Sequence, residues 1–117
     1  MLEESRRQKR VSNLIKEEIG RLIIETFQDS SSGLITVTRV SMSKDLKHAH
    51  VYLSILGEAP KQEILDLINK RKSYLRKVIA TKIKLKYNPM LIFSLDTSIE
   101  LEERIQKVLD ALNRNEK

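Results

Sequence analysis

Three patterns in the 117-residue chain predict an α+β domain with a three-stranded sheet. Apolar residues recur at three- and four-residue steps in three separate stretches. Two β-branched runs flank a short polar connection, and a brief apolar run follows a proline. The implied order is helix, strand, strand, helix region, strand, helix, with helices needed to cover the sheet.

The first helix runs from Arg6 to Phe27, where Val11, Leu14, Ile15, Ile19, Leu22, Ile23 and Phe27 fall on one stripe. Gly20 costs this helix about 1 kcal/mol relative to Ala and is expected to mark a close approach to the layer beneath. Asp29-Ser30-Ser31-Ser32-Gly33 then supplies turn formers. Leu34 to Met42 is the first strand. Ile35 and Val37 share one of its faces and Val40 and Met42 the other, so either both faces are partly covered or a bulge near Thr38 switches the register. Ala49 to Leu56 alternates Ala49, Val51, Leu53 and Ile55 against His50, Tyr52 and Ser54. The link from Ser43 to His48 is short enough to make the two strands an antiparallel hairpin.

Gly57 and Pro60 end the hairpin and open the second helical region, in which Ile64, Leu65, Leu67 and Ile68 lead to Leu75, Val78 and Ile79. From Tyr74 onward one half of the helix is apolar, while Arg76, Lys77 and Lys84 occupy the other. Lys82 and Lys86 fall on the apolar half, so the helix ends near them or their stems reach outward. Pro89 suits a strand start and Met90 to Leu95 is the third strand. Thr97 or Ser98 caps a last helix striped by Leu101, Ile105, Val108, Leu109 and Leu112.

Composition removes several function classes. The chain has no cysteine, which excludes a disulfide framework, a thiolate nucleophile, a zinc knuckle and an iron–sulfur site. No apolar run approaches the ~20 residues of a membrane span, and Met1 to Arg10 is polar where a signal peptide would turn apolar, so a cytoplasmic location is expected. The net charge of +6 is concentrated: residues 61–88 hold nine bases against two acids, and the rest of the chain is nearly balanced. Lys61, Lys70, Arg71, Lys72, Arg76, Lys77, Lys82, Lys84 and Lys86 make that segment the electrostatic footprint of a nucleic-acid-binding face, in preference to a merely solvated helix surface.

No catalytic constellation accompanies the charge. His48 and His50 lie two apart on a strand without an acidic neighbour at ligand spacing, and read as exposed hairpin residues rather than metal ligands. Asp45 and Asp96 read as a turn residue and a pre-helix residue. Gly20, Gly33 and Gly57 are too far apart for a phosphate loop. The chain is expected to be no enzyme, and to need no cofactor and no metal. Few aromatics and no glycine pair at GxxG spacing disfavour base stacking on an exposed sheet and a typical KH clamp, which leaves phosphate binding by Lys and Arg.

Four stretches carry a family likeness. They are Arg10-Val11 leading into the first helix, the run from Val37 to Tyr52 with its Ser-x-Asp-Leu turn and Ala-x-Val-Tyr strand, Tyr74-Leu75-Arg76, and Pro89 to Phe93 followed by Asp96 and Arg104-Ile105. In these the chain resembles bacterial ribosome-binding factor A over nearly its whole length. The resemblance implies a type II KH-like fold over residues 1–117, helix-strand-strand-helix-kink-helix-strand, with a C-terminal helical extension over residues 96–117. Where the family marks its kink with Ala-x-Gly, this chain reads Arg71-Lys72-Ser73, and Ser lacks the backbone freedom of Gly. Met90 stands where many relatives carry Glu.

The resemblance further implies a monomeric, non-enzymatic assembly factor that binds the small (30S) ribosomal subunit and 16S rRNA. Such a factor supports late maturation including 5′-end processing, particularly in the cold, and its release needs a partner such as a ribosome-associated GTPase. The phosphate contacts expected are Lys70, Arg71, Lys72, Arg76, Lys77, Lys82, Lys84 and Lys86, extended by Arg6, Arg7, Lys9 and Arg10 if the first helix packs alongside. A general basic DNA- or RNA-binding module acting off the ribosome is the alternative.

Overall fold

The computed structural model describes residues 4–27 and 33–115, without the side chains at 99–101 and 115, so the turn expected over Asp29–Ser32 lies outside the described residues. The elements are α1 (Arg6–Thr26), β1 (Leu34–Met42), β2 (His48–Leu56), α2 (Lys61–Lys70), α3 (Lys72–Lys82), β3 (Met90–Leu95) and α4 (Ile99–Asn115). The sheet order is β1-β2-β3, with β1 antiparallel to β2 and β2 parallel to β3. The α2–α3 pair supplies the long crossover that a parallel pairing requires.

One face of the sheet is dry. Val37, Val40, Val51, Leu53, Leu91 and Phe93 meet Ile15, Ile19 and Ile23 of α1 and Ile64, Ile68, Leu75 and Ile79 of α2 and α3 in one buried cluster. Of the apolar stripe expected for α1, Leu14 is an exception at 42% exposed. Gly20 does not sit at a close approach, because a Cβ there would meet nothing within 4 Å. The crowded glycine is Gly33, with φ +71° and a Cβ position only 2.3 Å from the Leu56 carbonyl oxygen. Only a residue without a Cβ fits that left-handed, enclosed position.

The parity switch in β1 is a bulge. Val37 pairs with Leu53 and Arg39 with Tyr52, so Thr38 is the extra residue, and Val40 and Met42 turn back toward the same core as Ile35 and Val37. The Thr38 hydroxyl donates to the Asp96 carboxylate at 2.5 Å and shares its proton with the Tyr52 carbonyl at 3.3 Å. Asp96 also accepts the Ser98 backbone N–H at 3.0 Å, ahead of α4. These hydrogen bonds, with the Thr38 hydroxyl first, hold its carboxyl below the usual aspartate value.

The helix pair breaks at Arg71, whose φ of −97° and ψ of 7° lie in the bridge region open to any residue. The kink thus forms without glycine. On the other side of the sheet α4 makes slight contact with the body, and Val108, Leu109 and Leu112 stay 51%, 43% and 54% exposed. The C-terminal helix projects, and the molecule measures 54 × 32 × 20 Å.

Candidate nucleic-acid interface

The starts of two parallel strands lie at the same end of a sheet, and here that end gathers charge. The hairpin loop 43–47 precedes β2, and residues 83–89 precede β3, with His48 paired to Met90 and the Met90 N–H bonded to the Lys47 carbonyl at 2.8 Å. α1 starts at the same end, because the buried Gln8 side chain donates to the carbonyl of Met42, the last residue of β1, at 3.0 Å. Three segments distant in sequence therefore converge. Arg7, Arg10, Lys44, Lys84 and Lys86 line one cleft of about 280 Å³, with a single carboxylate, Asp45, among them.

The cleft is held by local hydrogen bonding. Asp45 accepts the Ser43 hydroxyl at 2.6 Å and the Lys47 N–H at 3.0 Å. The Ser43 bond first, and then the Lys47 bond, hold its carboxyl below the usual value. The Ser43 hydroxyl oxygen in turn accepts the His48 N–H at 3.0 Å. Leu46 takes a left-handed φ of 61° and packs its side chain against the core, so the loop closes with Lys44 and Lys47 exposed. A cleft of five cations and one hydrogen-bonded carboxylate suits an anion of distributed charge, such as a phosphodiester backbone.

A second depression of about 460 Å³ adjoins it, lined by Lys47, His48, Arg76, Lys86, Tyr87 and Asn88. Tyr87 lines both hollows and is 43% exposed, with the ammonium groups of Lys47 and Lys86 at 4.8 and 5.5 Å from its ring centroid. Arg76 borders this depression with two of its five donors engaged, Nε to the Pro89 carbonyl at 3.1 Å and one terminal nitrogen to the Asn88 carbonyl at 2.7 Å. It pins the 83–89 loop to α3 and contributes charge more than a free hand.

The residues expected from sequence thus divide. Arg7, Arg10, Lys84 and Lys86 come together. Arg6 and Lys9 are exposed on α1 but do not line the cleft. Lys70, Arg71 and Lys77 are exposed and Lys72 half-buried around the kink, where the Arg71 guanidinium lies 4.5 Å over the Tyr74 ring. Lys82 is set apart, in a small hollow shared with Glu18, Arg21 and Glu25 of α1. Among the described residues the one ion pair is Arg21 with Glu18 at 3.5 Å, so the predicted cations remain without carboxylate partners.

Lys44, Lys47 and Tyr87 escaped the sequence reading. The available signal was the length of the β2–β3 connection, which demands a parallel crossover and so brings the two preceding loops together. His50 also departs from expectation. It is half-buried on the sheet face opposite the core, stacked 4.3 Å from Tyr52 and bonded to Ser94, while Arg39 covers Tyr52 at 4.1 Å.

Comparison with known proteins follows the same lines. The family model described as Ribosome-binding factor A matches residues 7–109. A Desulforamulus reducens ribosome-binding factor A is 38% identical over 113 residues, covering 96% of this chain and 94% of the relative. One from Caldanaerobacter subterraneus is 37% identical, covering 94% and 92%. In structure the chain is similar to crystalline ribosome-binding factor A from Thermus thermophilus, with a TM-score of 0.67 at 22% identity over 75% of this chain and 94% of that one. It is also similar to a Thermus thermophilus homology model fitted into a cryo-EM map of a complex with the 30S subunit, with a TM-score of 0.62 at 23% identity over 71% and 88%.

Proposed function

The chain belongs to the ribosome-binding factor A family, and from that premise we propose that it is a non-enzymatic assembly factor docking on the RNA of the small ribosomal subunit. The observation that carries this reading is the cleft where Arg7, Arg10, Lys44, Lys84 and Lys86 converge from three segments of the chain. Isolated surface lysines are ordinary, whereas five cations brought to one concavity by the fold make a directed field for phosphates. Lys70, Arg71, Lys72 and Lys77 extend the face along the kink. Arg76 holds the loop in place, and Lys82 beside Glu18 and Glu25 is left out.

The mechanism is steric. Phosphate contacts fix the orientation of the domain, shape selects the docking site, and the bound factor holds an immature RNA conformation until maturation is complete. Within this reading the factor acts as a monomer, supports 16S rRNA 5′-end processing, and is released by a partner such as a ribosome-associated GTPase. Support for the small subunit as partner comes from the Thermus relative fitted into a map of its 30S complex. Sedimentation of the tagged protein in a cell lysate tests the proposal. Co-migration with free small subunits is expected; co-migration with bulk nucleic acid or with 70S particles would replace it with a general nucleic-acid binder.

A further inference from the structure

We infer that this face takes single-stranded RNA, with one unpaired base stacked on Tyr87 and the flanking phosphates seated in the cleft of Arg7, Arg10, Lys44 and Lys84. The inference rests on the RNA-docking function proposed above and narrows it from RNA in general to an unpaired strand. An exposed tyrosine among lysines is otherwise a poor use of apolar area. Tyr87 is 43% exposed, lines two hollows of about 280 and 460 Å³, and has the ammonium groups of Lys47 and Lys86 at 4.8 and 5.5 Å from its ring centroid. Both hollows are open, so the nucleotides on either side of the stacked base have somewhere to lie.

Strength and geometry favour the exchange. An ammonium over an exposed ring is held weakly, and a base stacked on the same ring is held more tightly, so an arriving base displaces a lysine that is then well placed to meet the adjoining phosphate. A paired base cannot offer its face to a side chain, which makes Tyr87 a filter for unpaired strands. The ring is steered from both sides. Tyr87 follows Lys86 in the loop that Arg76 fastens through Asn88 and Pro89, and Lys47 stands on the neighbouring strand start.

The test measures the affinity of the full chain for a short unstructured oligoribonucleotide and for the same strand paired with its complement. Tyr87→Leu, which keeps apolar bulk but removes the π face, should lose roughly tenfold in affinity for the single strand beyond any loss on the duplex. The salt dependence should keep its slope, since no phosphate contact is removed. Tyr87→Phe should restore what Tyr87→Leu loses. Equal losses on both RNAs, no loss, or no rescue by Phe would each overturn the inference. If the wild-type protein co-sediments with small subunits yet ignores the free strand, the stacking site falls and the docking function stands. If it does neither, both fall.

Discussion

Gln8, in the first turn of α1, donates its side-chain N–H to the carbonyl oxygen of Met42 at the end of β1, in a buried hydrogen bond of 3.0 Å. The same amide accepts the Ser5 N–H at 2.9 Å, and the Ser5 hydroxyl accepts the Gln8 N–H at 3.1 Å, which completes a capping box. One side chain thus starts the helix and ties that start to the sheet end where the basic cleft opens. Gln8→Ala should cost about 2 kcal/mol, from a lost cap and a stranded buried carbonyl. Gln8→Glu keeps the acceptor but turns a carboxylate toward Met42, and should do no better. Urea unfolding reads both, and midpoints equal to wild type would discard this account of the cap.

The two glycines predict opposite signs. Gly20→Ala fills open space in a helix interior and should stabilise by about 0.5–1 kcal/mol. Gly33→Ala places a methyl group against the Leu56 carbonyl at a positive φ and should destabilise by about 2 kcal/mol or more. Thermal melts of the two variants, recorded side by side, should move in opposite directions from wild type.

Asp96 gives the domain an acid limit. Its carboxyl is held below the ordinary aspartate value in the folded state, chiefly by Thr38 and then by the Ser98 N–H, so as pH falls toward 3.8 the unfolded chain takes up the proton first. The stability it contributes is complete above the unfolded pKa of 3.8 and drains away as pH falls through the lower folded value. Thr38→Val should flatten the loss of stability between neutral pH and that acid range while lowering stability at neutral pH. An unchanged pH profile in denaturant titrations would assign the acid response to other carboxyls.

Charge variants should separate the cleft from its surroundings. Each of Arg10→Gln and Lys84→Gln should lower RNA affinity and reduce the log–log salt slope by about 0.7 on a single strand. Lys82→Gln should leave both near wild type, because Lys82 shares its hollow with Glu18 and Glu25. Arg76→Glu sets a carboxylate against the Asn88 and Pro89 carbonyls and should lose stability as well as binding, whereas Lys77→Glu should affect binding alone. Chemical unfolding alongside filter binding distinguishes these outcomes.

Local pattern made the elements legible and long-range pairing hid the site. The α1 stripe, the hairpin and the short third strand follow from periods of 3.6 and 2 that any residue run displays. The shift of parity between Val37 and Val40 was also visible, yet two-sided burial explained it equally well until Asp96, 58 residues beyond Thr38, supplied the partner for the bulge. The kink was obscured by treating glycine as its mark. A break at φ −97° needs no positive φ, so Arg71 serves. The charge of the basic segment was legible and its surroundings were not, because Arg7 and Lys84 meet only through the parallel register of β2 and β3 and the Gln8 tie.

The bulge at Thr38 also shapes the outer rim of the sheet. β1 is an edge strand of nine residues, long enough to template pairing with a neighbouring chain. With the irregularity between Val37 and Arg39, its outer rim is divided into two short halves of differing twist. An incoming strand that finds register with Leu34–Val37 loses it at Arg39–Met42. The residue that fastens β1 to Asp96 therefore also interrupts the row of backbone groups that an added strand would need.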